Sequence, residues 1–244
     1  MSHRPLLLAH RGAPVSRAIP ENSIAAFDGA LERGCDGFEF DIRRTACGSA
    51  VVCHNAKAGG ITVARATRRQ LPALCTLEEV IRHYGRRAFL DIELKVKGLE
   101  TAVLAALREH PPEREYVISS FLPEAVLELK ARSAIAPVGI ICAKPSQLMG
   151  WRKLPVDYVI VHQSLVTRKL VQLIHSVGRK IFVWTVNTRR AMLQLSGWGV
   201  DGIISDNADL LISALSGGEP AEPVSERALR SAMRFTPRLR LLAG

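Results

Sequence analysis

The strongest constraint on the fold of this chain is a repeated alternation. Short, continuously apolar runs at residues 6–10, 37–42, 89–94, 117–120, 138–142, 158–161, 180–184 and 202–205 are separated by segments with helical spacing of apolar residues. Runs apolar at nearly every position suit parallel strands, because crossover helices cover both faces of such a sheet. The helical segments fall at 23–33, 77–85, 99–110, 123–132, 167–177 and 189–195. Pro123 suits a first helical turn, where its missing N–H costs nothing. Gly34, Gly85 and Gly178 stand where helices are expected to stop. Eight strands alternating with helices predict an α/β fold, a single (β/α)8 barrel of the TIM type. The competing doubly wound sheet expects a glycine-rich phosphate loop after its first strand, and His10-Arg11-Gly12-Ala13-Pro14 is not one.

At 244 residues, nearly half of them apolar, the chain can bury a core and complete one barrel. The barrel domain is expected over 1–215. From Ser216 a Ser-Gly-Gly-Glu-Pro linker leads into an Arg-rich tail, 216–244, with Arg227, Arg230, Arg234, Arg238 and Arg240, where Pro237 interrupts any helix. The extended residues 50–54 read as a short excursion after the second strand. No apolar run is long enough to cross a bilayer, and Met1-Ser2-His3-Arg4-Pro5 lacks the apolar region of a secretory signal. The five cysteines are odd in number and form no Cys-x-x-Cys pair, so reduced thiols and a cytoplasmic location are expected.

Formal net charge is +10, which favours an anionic partner. Nucleic acid is not expected, because aromatics are 5% of residues and none interleave with basic ones as a base-stacking surface requires. The tail, mixing arginines with Leu229, Met233, Phe235 and Leu239, is a candidate for weak membrane-surface contact. Oligomeric state is not legible.

The polar residues collect at strand ends. His10 and Arg11 end the first strand, Glu39 and Asp41 lie near the end of the second, and Glu93 and Lys95 repeat that spacing on the third. Ser119-Ser120, Trp184 and Ser205-Asp206 end later strands. In a parallel barrel these ends share one face, where barrel active sites sit. Side-chain alternation turns Phe38, Phe40 and Ile42 toward the helices and Glu39 and Asp41 inward; Asp91, Glu93 and Lys95 likewise face in. Carboxylates converging on a barrel interior repel one another unless a cation joins them. All-oxygen ligation favours Mg²⁺ or Ca²⁺ over Zn²⁺. Asp91 is read as a structural carboxylate deeper in the barrel. His162 is read as a surface or structural residue.

Taken in order, Ala9-His10-Arg11-Gly12, Pro20-Glu21-Asn22-Ser23, Phe38-Glu39-Phe40-Asp41, Val52-Cys53-His54, Leu90-Asp91-Ile92-Glu93-Leu94-Lys95, Ser119-Ser120-Phe121, Val183-Trp184-Thr185-Val186-Asn187 and the 198–206 segment resemble the glycerophosphodiester phosphodiesterase family. The resemblance covers residues 6–215. It implies a barrel hydrolase that cleaves glycerophosphodiesters to glycerol 3-phosphate and an alcohol with Mg²⁺ or Ca²⁺. Carried across, it makes Glu39, Asp41 and Glu93 the metal ligands and His10 and His54 the acid–base pair. Arg11 and Lys95 would meet the phosphate, Glu21 would support the metal or substrate hydroxyl side, and Trp184 would line the glycerol or leaving-group side. Two features depart from the family: Asn55 stands where Asp is common after the second histidine, and 59–77 is compressed. The alternatives are lysophospholipase D-type hydrolysis of lysophospholipids and a non-catalytic phosphodiester or headgroup-binding barrel. Mere binding needs no paired acid–base groups, which argues against the latter.

Overall fold

A computed structural model describes residues 4–16 and 18–216, so the tail expected from 216 onward lies outside the described residues apart from Ser216 itself. The chain runs β1 (Leu6–His10), α1 (Ile24–Glu32), β2 (Gly37–Arg44), β3 (Ala50–Val52), β4 (Lys57–Ala58), β5 (Ile61–Thr62), α2 (Leu77–Tyr84), β6 (Phe89–Leu94), α3 (Glu100–Glu109), β7 (Tyr116–Ser120) and α4 (Pro123–Arg132). It continues through β8 (Val138–Cys142), α5 (Pro145–Gly150), β9 (Tyr158–His162), α6 (Arg168–His175), β10 (Lys180–Trp184), α7 (Arg189–Trp198), β11 (Gly202–Ser205) and α8 (Ala208–Leu215). Strands β1, β2, β6, β7, β8, β9, β10 and β11 are all parallel, and pairing of β1 with both β2 and β11 closes the barrel. The fold is the expected (β/α)8 barrel. The expected excursion after the second strand is β3, antiparallel to the overhanging end of β2. To the helices expected from spacing the structure adds α5 and α8. The first has one turn and a half, too short to show a period.

Local chemistry starts the helices where the sequence asks for it. Ser23 Oγ accepts the Ala26 N–H, Thr76 and Glu79 form a reciprocal capping box, and Thr167, Thr188 and Asn207 cap α6, α7 and α8. In α2 the buried Leu77, Val80, Ile81 and Tyr84 follow the i, i+3, i+4, i+7 pattern and press on the barrel wall. There the Phe27 and Phe38 rings stack at 4.1 Å, with the Tyr84 ring edge-on to Phe38 at 5.0 Å.

The barrel interior divides into a floor and a mouth. The floor is apolar: Leu8, Phe89, Val117, Ile141, Tyr158, Ile160, Phe182 and Ile204 form a buried cluster of their own, separate from the larger core between strands and helices. Three of its residues are rings, and each stands in register with a glycine on the neighbouring strand: Phe89 with Gly37, Tyr158 with Gly139, Phe182 with Gly202. At Gly202 a Cβ would lie 2.5 Å from the Phe182 ring. The floor is packed by pairing large against absent side chains, as interior density requires. It supports the polar mouth above it.

Candidate active site

Inward positions one step above the floor carry acid. Glu39 and Asp41 on β2 pair in register with Asp91 and Glu93 on β6, so four carboxylates share adjacent strands on one interior face. All four are buried, with Asp41 and Asp91 each 1% exposed. Their surroundings separate them. Asp91, the deepest, accepts a hydrogen bond from Ser119 Oγ at 2.6 Å, and burial raises its pKa to about 7. Asp91 also lines the mouth cavity, and its Ser119 partner suits the structural role expected of it. Glu39, Asp41 and Glu93 can each offer an oxygen such that the three atoms lie within 4.8 Å of one another. Burial and the neighbouring carboxylates push Glu39 well above the usual carboxylate range, and burial, partly offset by Lys95, raises Glu93.

One oxygen of each member of this trio is buried without a hydrogen-bond donor: Glu39 Oε1, Asp41 Oδ1 and Glu93 Oε1. Lys95 Nζ lies 2.6 Å from Glu93 Oε1 and 3.2 Å from Asp41 Oδ1, close ion contacts that lack hydrogen-bond alignment. Three carboxylates buried this close together repel one another beyond what Lys95 offsets, and a hard divalent cation can join them. The donor set therefore fits a metal ion. The other Asp41 oxygen is held by Asn22 Nδ2 at 2.8 Å, while Asn22 Oδ1 accepts the Asp41 backbone N–H at 3.1 Å. Asn22 thus clamps one oxygen of Asp41 and leaves the other free for an ion.

The β1–α1 loop brings cationic groups to this cluster through an unusual backbone. Arg11, Ala13 and Asn22 have φ of 51°, 43° and 58°, the described non-glycine residues in the left-handed region, and all belong to this loop. Gly12 between the first two has φ 82°, and a Cβ there would lie 2.8 Å from Ala26. Such conformations cost on the order of 1–3 kcal/mol each and persist where the surroundings over-determine them. The result is that Arg11 donates its N–H to Glu39 Oε2 at 3.1 Å and sets Nε 3.4 Å from Asp41 Oδ2. Its Nη1 donates to both oxygens of Glu21 at 3.1 Å. Burial lowers the Arg11 pKa, but Asp41, Glu21 and Glu39 together raise it further than that.

Two imidazoles face the same cavity of about 140 Å³, which Arg11, Glu39, Glu93, Lys95 and Trp184 also line. His10 Nδ1 lies 2.5 Å from Asp206 Oδ1, and its Nε2 is 3.8 Å from Glu39 Oε2. Asp206 is oriented by Asn187, which donates Nδ2–H to Asp206 Oδ2 at 2.7 Å and accepts the Asp206 N–H at 2.9 Å. The hydrogen bond from His10 holds the Asp206 pKa below the usual carboxylate range. His54, just beyond β3, has Nδ1 3.0 Å from Asn55 Oδ1, so the departure from Asp leaves an amide beside this ring. Burial lowers the His54 pKa, partly offset by Asp41. Trp184 stands between Phe121 at 5.6 Å and His162 at 5.4 Å, both edge-on, and its Nε1 is buried without an acceptor.

Of the residues singled out in the sequence, His10, Arg11, Glu39, His54, Glu93, Lys95 and Trp184 meet at the cavity, and Asp41 touches it through its contacts with Arg11 and Lys95. Glu21 does not line it; it braces Arg11 from outside. Sequence reasoning missed what holds the site in place: Asp206 and Asn187 behind His10, Asn22 behind Asp41, and Phe121 and His162 beside Trp184. Each except His162 lies in or next to a quoted motif, but nothing in one sequence says which partner it takes.

A closed parallel barrel whose mouth gathers three unpartnered acidic oxygens, two cations and two imidazoles belongs to the class of barrel enzymes that hydrolyse anionic esters. Comparison with known proteins specifies the class. Residues 10–210 match the profile of the glycerophosphoryl diester phosphodiesterase family, and the chain belongs to that family. Among its relatives, the glycerophosphodiester phosphodiesterase of Caldanaerobacter subterraneus is 30% identical over 249 residues, covering 88% of this chain and 99% of the relative. A phosphodiesterase of Oleispira antarctica, solved in complex with the product sn-glycerol-3-phosphate, superimposes with a TM-score of 0.75 at 26% identity, covering 86% of this chain and 96% of that one. A glycerophosphodiester phosphodiesterase from Thermotoga maritima shares the fold, with a TM-score of 0.74 at 24% identity over 86% of this chain and 98% of the other. No helix among the described residues is long and apolar enough to cross a membrane.

Proposed function

We propose that this chain hydrolyses glycerophosphodiesters to sn-glycerol 3-phosphate and an alcohol, with a divalent cation, Mg²⁺ or Ca²⁺, seated on Glu39, Asp41 and Glu93. The observation that carries the proposal is the set of three buried carboxylates whose oxygens lie within 4.8 Å of one another, beside two imidazoles and two cations at one cavity. The relative that binds sn-glycerol 3-phosphate as its product supports the choice of substrate. When bound, the cation would neutralise charge on the phosphoryl group. Arg11 and Lys95 would meet the phosphate, and Glu21 accepts hydrogen bonds from Arg11 Nη1 and so fixes that side chain.

The two histidines take different parts because their Nδ1 partners differ. With Nδ1–H donated to Asp206, His10 presents the Nε2 lone pair to the cavity and takes the proton of the attacking oxygen. Asp206 then steadies the imidazolium that forms. His54 has only an amide beside it and takes the complementary part. It gives its proton to the alkoxide that leaves phosphorus. Trp184 lines the leaving-group or glycerol side and offers its unpaired Nε1–H to a hydroxyl. The five free thiols suit a reducing compartment, which supports a cytoplasmic location.

The test is product identification. Purified protein is incubated with glycerophosphocholine, glycerophosphoethanolamine, glycerophosphoglycerol and a lysophospholipid, with and without Mg²⁺ or Ca²⁺. Metal-dependent release of sn-glycerol 3-phosphate is expected from the glycerophosphodiesters. Turnover of the lysophospholipid alone would move the assignment to the lysophospholipase D-type reading.

A further inference from the structure

A second cavity, of about 320 Å³, is lined by the end of β2, residues of the 56–64 segment and the bend after β6. Its charged lining is entirely cationic: Arg43, Arg44 and Lys97, with Thr45, Thr62 and apolar residues completing the wall. Among the described residues, some cations elsewhere are paired with carboxylates, and others, such as Lys57 and Arg65, are not. Arg4, Arg11, Arg33, Arg86, Arg87, Lys95, Lys130, Arg132 and Lys180 each have a carboxylate oxygen within 4.0 Å. Among the described residues no ion pair is formed by Arg43, Arg44 or Lys97. Glu100, the acidic residue close by in sequence, is buried and accepts the Gly98 N–H at 2.8 Å. Arg43 is half-buried, and Arg44 and Lys97 are exposed at the rim, so an anion entering the hollow would meet three positive charges.

The cavity is also built into the strands that carry the candidate metal ligands. Arg43 follows Asp41 by two residues on β2 and keeps its parity, and Lys97 follows Lys95 by two in the bend after β6. Two residues span at most about 7 Å of chain, so Lys97 is a short step from the Lys95 that would hold the phosphate. Arg43 Nε donates to the His54 carbonyl at 2.9 Å, which ties this wall to the candidate acid. Arg44 lies along the Gly98 turn, where a Cβ would come 2.9 Å from Nη1; φ of +82° and the lack of a side chain at Gly98 let the two loops close on each other.

We infer that Arg43, Arg44 and Lys97 form an anion subsite that receives a second phosphate-class group carried on the leaving alcohol of the substrate. This rests on the hydrolase reading above and sharpens it: preferred substrates are glycerophosphodiesters whose alcohol is itself phosphorylated, with neutral alcohols as poorer ones. The specificity is additive to catalysis. Arg44 and Lys97 touch none of the groups assigned to the chemistry.

The double variant R44Q/K97Q tests this in two arms. Calorimetric titration with inorganic pyrophosphate in metal-free buffer reads the subsite without turnover; the variant should bind at least about tenfold more weakly than wild type, the scale for losing charge-assisted hydrogen bonds. Unchanged affinity would overturn the subsite. In the kinetic arm, wild type should favour glycerophosphoglycerol phosphate over glycerophosphoglycerol in kcat/KM by about tenfold. The variant should lose that preference while its kcat/KM on glycerophosphoglycerol stays within about twofold. Weakened pyrophosphate binding with an unchanged substrate preference would assign the pocket to a free anion and overturn the leaving-group role. Hydrolysis of neither diester by wild type, with pyrophosphate binding intact, would count against the hydrolase reading and not against the subsite.

Discussion

The floor and the mouth of this barrel are made from the same inward-facing rows of the same strands, a few residues apart, yet they follow opposite rules. On β6, Phe89 fills the floor and Asp91 and Glu93 face the mouth. At the floor every large ring is matched to a glycine, and the Tyr158 hydroxyl, which accepts from Lys180, is the polar side-chain atom of the packed cluster. At the mouth, carboxylates are buried at close range, three of their oxygens lack a donor, and the adjoining loop is held in left-handed backbone conformations. The contrast teaches where stability is made and where it is given up. Packing at the floor holds the strands in register, and that fixed register keeps the acidic cluster together against its own repulsion.

Substitution at the two levels should therefore separate activity from stability. The largest effect is expected at the mouth. His10→Ala and His54→Ala should each lower kcat by roughly 10²–10⁴-fold on a confirmed substrate, with denaturation midpoints close to wild type. Because the two act on one proton pathway, the double variant should be little worse than the poorer single. Near-wild-type kcat in either would break the assignment. At the floor the pattern inverts. Phe182→Ala should cost about 3–5 kcal/mol in chemical denaturation through the cavity it leaves. Gly202→Ala should cost about 1–3 kcal/mol by overpacking the same ring from across the strand pair. If these folded variants lost metal affinity more than stability, the separation of levels would be wrong.

A smaller effect sharpens the electrostatic side. Burial raises the pKa values of Glu39 and Glu93, so in the metal-free protein the folded state binds more protons than the unfolded chain over that interval. Stability in chelator should be fullest near and below the ordinary glutamate value of about 4.3 and should fall as pH rises through the elevated values. Glu39→Gln removes one buried charge and should raise the metal-free melting temperature at neutral pH by on the order of 3 °C, the shift that about 1 kcal/mol produces in a domain of this size. A lower melting temperature in that variant would mean that the carboxylate stabilises the empty site.

Much of this contrast could be read from the chain. Alternation alone turns Glu39, Asp41, Asp91 and Glu93 inward and their apolar neighbours outward, because a strand has a period of two whatever its surroundings. The shared face of the strand ends follows from parallel pairing, so the sequence alone brings His10, Arg11, Lys95 and Trp184 together. Register is another matter. That Phe182 stands opposite Gly202, or that Asp206 reaches His10 across the β1–β11 seam 196 residues away, depends on how strands slide past one another. No local pattern records that. Glu21 shows the same limit in reverse: its motif marks it as functional, and only the fold shows that it reaches the cavity through Arg11. The short α5 carried too few residues to show a period, and the cationic pocket needed the loops after β2 and β6 to be seen side by side.

The central claim is that Glu39, Asp41 and Glu93 exist at the mouth to hold a divalent cation. Calorimetric titration of Mg²⁺ and Ca²⁺ into chelator-treated wild type, Glu39→Gln and Glu93→Gln tests it directly. Saturable binding of one ion per chain by wild type, lost or weakened by at least about tenfold in either variant, is the expected result. Equal affinity in all three proteins, or full phosphodiester hydrolysis in the metal-free enzyme, would contradict it.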